Sequence, residues 1–108
     1  MNELIIYKNE LKNSNPARYK FIGIVSRMLL SKELFNKNEE IIDFLKYVIR
    51  TEYKEYVMAS RTLIVARTVR LIEELSDKDY LDCKKRLYKY IDSKIINPNK
   101  KNIFDGWL

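Results

Sequence analysis

Two glycines and two prolines in 108 residues are the strongest constraint on what this chain folds into. Turn-rich sheets, linkers and collagen-like repeats all need more of those residues, so those designs are excluded. Long stretches without either, with apolar residues at helical spacing, predict helix almost throughout. A chain of 13.0 kDa buries about two thirds of its unfolded surface, enough for one core and not two. An apolar fraction of 46% excludes a disordered tail.

The punctuation of the chain divides it into four or five helices. Asn2 to Lys12 sets Leu4, Ile5, Tyr7 and Leu11 close to helical spacing. Asn15 and Pro16 form a start signal, since proline at the first helical position lacks an N–H that would go unused there. Phe21, Ile22, Val25, Met28, Leu29 and Leu34 continue as a stripe. Gly23 within it predicts a close approach of two helices. Asn36 with Glu39 reads as a capping box, opening a stripe of Ile41, Ile42, Leu45, Val48 and Ile49. Thr51 either interrupts that helix or marks a bend in it. Tyr53, Val57, Ile64, Leu71 and Leu75 then share a face, which predicts the central helix with Ile64, Leu71 and Leu75 in the core. Ser76 with Asp79 is a second capping box, opening a helix from Asp77 to about Ile96. Its expected inner face is Leu81, Tyr88, Ile91 and Ile95, bordered by Leu87. Residues 1–97 are thus expected to form an all-α bundle with short turns, and 98–108 an apolar C-terminal tail. In that tail Ile103, Phe104, Trp107 and Leu108 are apolar groups too costly to leave in water. The tail is expected to dock on its own bundle or on a partner, with Phe104 and Trp107 as the partner contacts.

Much chemistry is excluded by composition. With no histidine and one cysteine, the chain lacks the usual zinc ligands, any His-based triad and any disulfide framework. Glu39/Glu40, Glu73/Glu74 and Asp77/Asp79/Asp82 sit at helix ends or on polar faces, where capping and solvation account for them. The serines have no histidine base, and Ser31-Lys32 are neighbours that point to different sides of a helix. No glycine-rich phosphate loop is present. The expectation is a protein that is not an enzyme and holds no metal or cofactor. No run is long enough to span a membrane and the N-terminus has no signal-peptide pattern. The chain is expected to be cytoplasmic, with Cys83 reduced.

The charge points toward polyanions. Twenty-one basic and 15 acidic residues give a net charge of +6 and a pI near 9.4. Residues 1–35 and 76–108 each carry +3, while 36–75 are neutral. If the chain ends lie together they form one basic face. The alternative is a bias of composition, tolerated because net charge aids solubility. Lys84, Lys85, Arg86 and Lys89 interleave with Tyr88 and Tyr90, a pattern suited to phosphate contact plus base stacking. Arg18 and Arg27 extend this candidate nucleic-acid-binding set. Arg61, Arg67 and Arg70 lie on the central, otherwise apolar helix. Each is read as an edge residue, a partner of acids such as Glu73 and Glu74, or part of a binding face, with Arg67 and Arg70 as the candidate partner contacts. Eight tyrosines are too many to bury with satisfied hydroxyls, so some belong at the core edge or an interface.

In size, charge and helix content the chain resembles the small helical subunits of CRISPR effector complexes, which implies backbone contacts to nucleic acid. It also resembles the bacteriocin immunity proteins of Gram-positive bacteria, which implies action at the cytoplasmic membrane face. Both resemblances are of general type, without a matched motif, so no residue role carries over. A helix-turn-helix reading is weaker, because the helix after Asn36-Lys37-Asn38 begins with Glu39 and Glu40 where a recognition helix meets DNA. The first expectation is therefore a basic, non-enzymatic binding protein acting on nucleic-acid backbone or a nucleoprotein complex. The second is a protein-binding or immunity module, and the third a homo-oligomer.

Overall fold

The computed structural model describes residues 2–13 and 17–96. All regular structure among them is helical. Six α-helices are present, where the sequence suggests four or five: α1 (Asn2–Asn13), α2 (Arg18–Leu30), α3 (Ile41–Phe44), α4 (Glu55–Met58), α5 (Arg61–Glu73) and α6 (Asp77–Ile96). The start signal at Asn15 and Pro16, and the apolar tail with Phe104 and Trp107, lie outside the described residues. α2 begins at Arg18 with Ala17 as its N-cap.

The extra elements come from the middle of the chain, where the expected long helices break. The segment from Asn38 to Ile49 is a 3₁₀ turn (Asn38–Glu40), a single α turn (α3) and a π turn (Leu45–Ile49). Its capping is shifted by one residue: the Asn36 N–H donates to Glu40 Oε1 at 2.9 Å, not to Glu39. The π turn closes when the Arg50 N–H donates to Leu45 O at 2.6 Å, with Arg50 in the left-handed region at φ 64°. The chain then leaves the helix, and α4 and α5 are separated by Ala59 and Ser60. Ser60 caps α5 by accepting the Leu63 N–H at 3.2 Å. No single helix therefore carries Tyr53, Val57, Ile64, Leu71 and Leu75. The buried line of α5 is Ile64, Thr68 and Ile72, and Leu71 and Leu75 are only half-buried. Thr68 is acceptable in the core because its hydroxyl bonds the Tyr53 hydroxyl at 2.8 Å.

α6 has the expected bounds, and Ser76 Oγ accepts the Asp79 N–H at 3.1 Å. Its buried line, however, is Tyr80, Cys83, Leu87 and Ile91. Ile91 and the bordering Leu87 are buried as expected, but Tyr80 takes the place of Leu81, which is 44% exposed, and Tyr88 is half-buried. The Gly23 expectation is also overturned: a Cβ there meets nothing within 4 Å, so close packing is not why it is glycine.

α2 packs on α5, α1 on α6, and α6 on the π turn. α2 and α5 are antiparallel, because Arg18 reaches Ile72 while Leu29 is reached from Arg61. One core joins Phe21, Val25 and Leu29 of α2 to Ile64 and Ile72, to Ile41 and Phe44 of α3, and to Leu87 and Ile91 of α6. Phe21 meets Tyr80 edge-on at 5.3 Å, and Phe44 meets Tyr90 edge-on at 5.1 Å.

Candidate nucleic-acid interface

The fold divides the basic residues into two kinds. Three arginines turn inward onto carbonyl groups at helix ends, where α-helices leave acceptors unsatisfied. Arg61 donates at 2.8 Å from each of three nitrogens: Nε to Asn38 Oδ1, one terminal nitrogen to Leu29 O, the other to Phe35 O. Arg18 donates to Ile72 O at 2.9 Å and Leu75 O at 2.7 Å, at the end of α5. Its second nitrogen reaches Asp77 Oδ1 at 3.0 Å, and its guanidinium lies 4.7 Å from the Tyr80 ring centre. Arg86 donates from Nε to Val48 O at 2.9 Å, next to the Cys83 thiol, which donates to the same carbonyl at 3.4 Å. Burial pushes that thiol up to about 11, against the lowering effect of Arg86, so Cys83 is an unreactive core group.

Chain sequence explains why arginine does this work. Glycine is the usual residue just past a helix C-terminus, where it turns the chain and satisfies the last carbonyls. Gly23 stands mid-helix and Gly106 lies near the C-terminus, so neither follows α2, α5 or the π turn. Long side chains from neighbouring helices cap those ends instead. Arg18 and Arg86 thus place much of their donor capacity inside the fold.

Lysine carries the accessible charge on α6. Lys84, Lys85, Tyr88 and Lys89 line a hollow of about 230 Å³ whose wall is almost entirely hydrocarbon. Tyr88 and the hydrocarbon stems of the lysines supply that wall. Lys85 and Lys89 are exposed, Lys84 and Tyr88 half-buried. α1 supplies a fourth lysine: Lys8 Nζ lies 5.8 Å from the Tyr88 ring centre and 2.6 Å from Asp92 Oδ1. The Asp92 bond raises the Lys8 pKa, outweighing the opposing effect of desolvation. This pair ties α1 to α6 beside the hollow.

The two tyrosines of the interleaved pattern separate. Tyr90 packs on Phe44, and its ring also meets Tyr47 at 6.4 Å and the Lys94 ammonium at 5.3 Å. Burial pushes its hydroxyl up to about 12, helped by the charge of Asp43. Both are half-buried against the core, and Tyr88 is the one that lines the hollow with Lys84, Lys85 and Lys89. Arg27 is exposed in the last turn of α2, about 13 Å along the axis from Arg18. Arg67 and Arg70 are exposed on α5, and Arg67 donates to the Tyr56 hydroxyl at 3.1 Å. None of these three lines the α6 hollow.

A second concavity was not legible from the sequence. Two adjoining hollows of about 240 and 740 Å³ share Ile42, Tyr53 and Met58 as lining residues. Their rims carry Glu39, Glu52 and Glu55 against Lys37 and Lys46, a balance that does not favour a polyanion. Ile42, 38% exposed beside fully buried Ile41, is the only signal that marks it.

Ser31 is turned to a structural use, its Oγ accepting the Leu34 N–H at 3.2 Å. Among the described residues no group of three or more His, Cys, Asp or Glu could hold a metal ion. No helix among them is long and apolar enough to cross a membrane. Compared with protein-family models, curated proteins and solved structures, the chain finds no match.

Proposed function

We propose that this chain is a non-enzymatic protein that binds nucleic-acid backbone through Lys84, Lys85 and Lys89 on one flank of α6. The observation that carries the reading is the hollow in which these three lysines converge on Tyr88. Ammonium groups on flexible stems suit phosphate as point charges and demand no fixed geometry. Lys85 and Lys89 are exposed, and Asp92 on the same helix is paired with Lys8. The residues on which the reading depends all lie on α6.

The test is binding of a labelled oligonucleotide by fluorescence anisotropy as salt is raised. Three phosphate contacts give a slope in log K against log salt of about −2.7 on duplex and about −2.1 on a single strand. Between about 50 and about 200 mM salt, affinity then falls about 40-fold or about 20-fold respectively. Lys85→Glu with Lys89→Glu should weaken binding to every sequence alike and flatten the slope. Absence of binding to DNA and RNA at low salt would remove the proposal.

A further inference from the structure

We propose that Tyr88 is a stacking platform for an unpaired base, so that the strand this site takes is single rather than duplex. The inference rests on the backbone-binding reading and adds what the backbone alone does not specify. The hollow is too apolar for a site that only meets phosphate: its wall is almost entirely hydrocarbon. A site for a flat apolar surface flanked by anions is a site for a base with its phosphates. Tyr88 is half-buried against the core edge, which fixes the ring, while its remaining surface opens on Lys84, Lys85 and Lys89. Lys85 and Lys89 stand one turn apart, about 6 Å along the axis, and line the hollow together with that ring. They can follow a strand as it passes while one base turns inward.

Duplex fits the same surface poorly. A base pair hides its faces in the stack and offers the ring nothing. α6 has α1 on one side and the π turn on another, so it does not protrude as a groove-reading helix does. Its first turn carries Asp77 and Asp79, with Asp82 following, where such a helix would meet phosphate.

The experiment compares four ligands of equal length at one salt concentration: a single-stranded oligonucleotide, its abasic analogue, the duplex, and inorganic polyphosphate. The intact chain is used, then Tyr88→Phe and Tyr88→Leu. Stacking predicts that the single strand binds about 5- to 150-fold more tightly than the abasic strand. Tyr88→Phe should keep that preference and Tyr88→Leu should abolish it, leaving the two strands equal. Equal affinity of the normal chain for both strands, or a preference for duplex, overturns the stacking proposal and leaves the backbone reading standing. No binding to any of the four overturns both. The ligand-side comparison needs no variant, so instability of Tyr88→Leu does not rescue the idea.

Discussion

Removing the Arg61 guanidinium should unfold a large part of the margin that holds this chain together. Arg61→Ala deletes three hydrogen bonds, each 2.8 Å long, to Leu29 O, Phe35 O and Asn38 Oδ1. Bonds from a charged donor contribute about 1.5–3 kcal/mol each. The site is half-buried, so water can reach some of the abandoned acceptors and the loss falls below the roughly 4.5 kcal/mol that three such bonds reach at the low end. We expect about 3–4 kcal/mol. A domain of this size has roughly 5–15 kcal/mol in all. The melting temperature should fall by about 12–20 °C. Arg61→Lys should lose about 2 kcal/mol, because one ammonium cannot serve three acceptors arranged for a planar fork. Asn38 is coupled to the same site, since its amide also donates to Met58 O at 2.8 Å. The double variant Arg61→Ala, Asn38→Ala should therefore cost less than the sum of the singles. Urea unfolding followed by circular dichroism measures all three, with the midpoint moving and the slope unchanged. A loss below about 1 kcal/mol for Arg61→Ala would refute the capping role.

Other predictions follow from the same contacts. Gly23→Ala should stabilise the chain by about 0.5–1 kcal/mol in urea unfolding, since the site is helical, exposed and empty around the new methyl. Ile72→Ala should cost about 2–5 kcal/mol and Leu71→Ala distinctly less, because only Ile72 is fully buried; equal losses would contradict the phase of α5. Stability should fall between about pH 9 and pH 12. Tyr90 and Cys83 stay neutral in the fold up to about 12 and about 11, whereas unfolded they ionise near 10.0 and 9.0. The unfolded state thus loses protons first as pH rises, so the contribution is intact below pH 9 and shrinks above it. Tyr90→Phe should flatten the upper part of that decline in urea midpoints measured at stepped pH.

The helical class was legible because it rests on local facts: few glycines, few prolines, and a 3.6-residue period. Phase was not. On α6 Ile91 is buried as expected, but apolar residues stand side by side at 80/81 and 87/88, so spacing alone does not say that Tyr80 and Leu87 are the buried members of those pairs. The middle of the chain failed for another reason. The sequence Ile41 to Ile49 reads as one amphipathic helix, yet after a single α turn it loosens into a π turn and stops at Arg50, a residue with no preference for the left-handed region. At the candidate site, the lysines at 84, 85 and 89 with Tyr88 were readable because they lie on one helix. The fates of Arg18 and Arg61 were not, since Arg18 meets an acceptor 54 positions away and Arg61 one 32 away.

The separation of arginine from lysine bears on what the charge is for. A net charge of +6 by itself does not distinguish a binding surface from a bias of composition. Here the three arginines on carbonyls would be needed whether or not any partner exists, because each satisfies a helix end that lacks glycine. Their charge is therefore no evidence for a polyanion. What remains for a partner on α6 is lysine, a mobile point charge that neutralises phosphate without the bidentate geometry that reads guanine. A face built this way gives affinity that depends on salt and little on sequence. Any selectivity must then come from Tyr88, the aromatic surface that those lysines surround. On the stacking proposal, selectivity lies between paired and unpaired strands rather than between sequences.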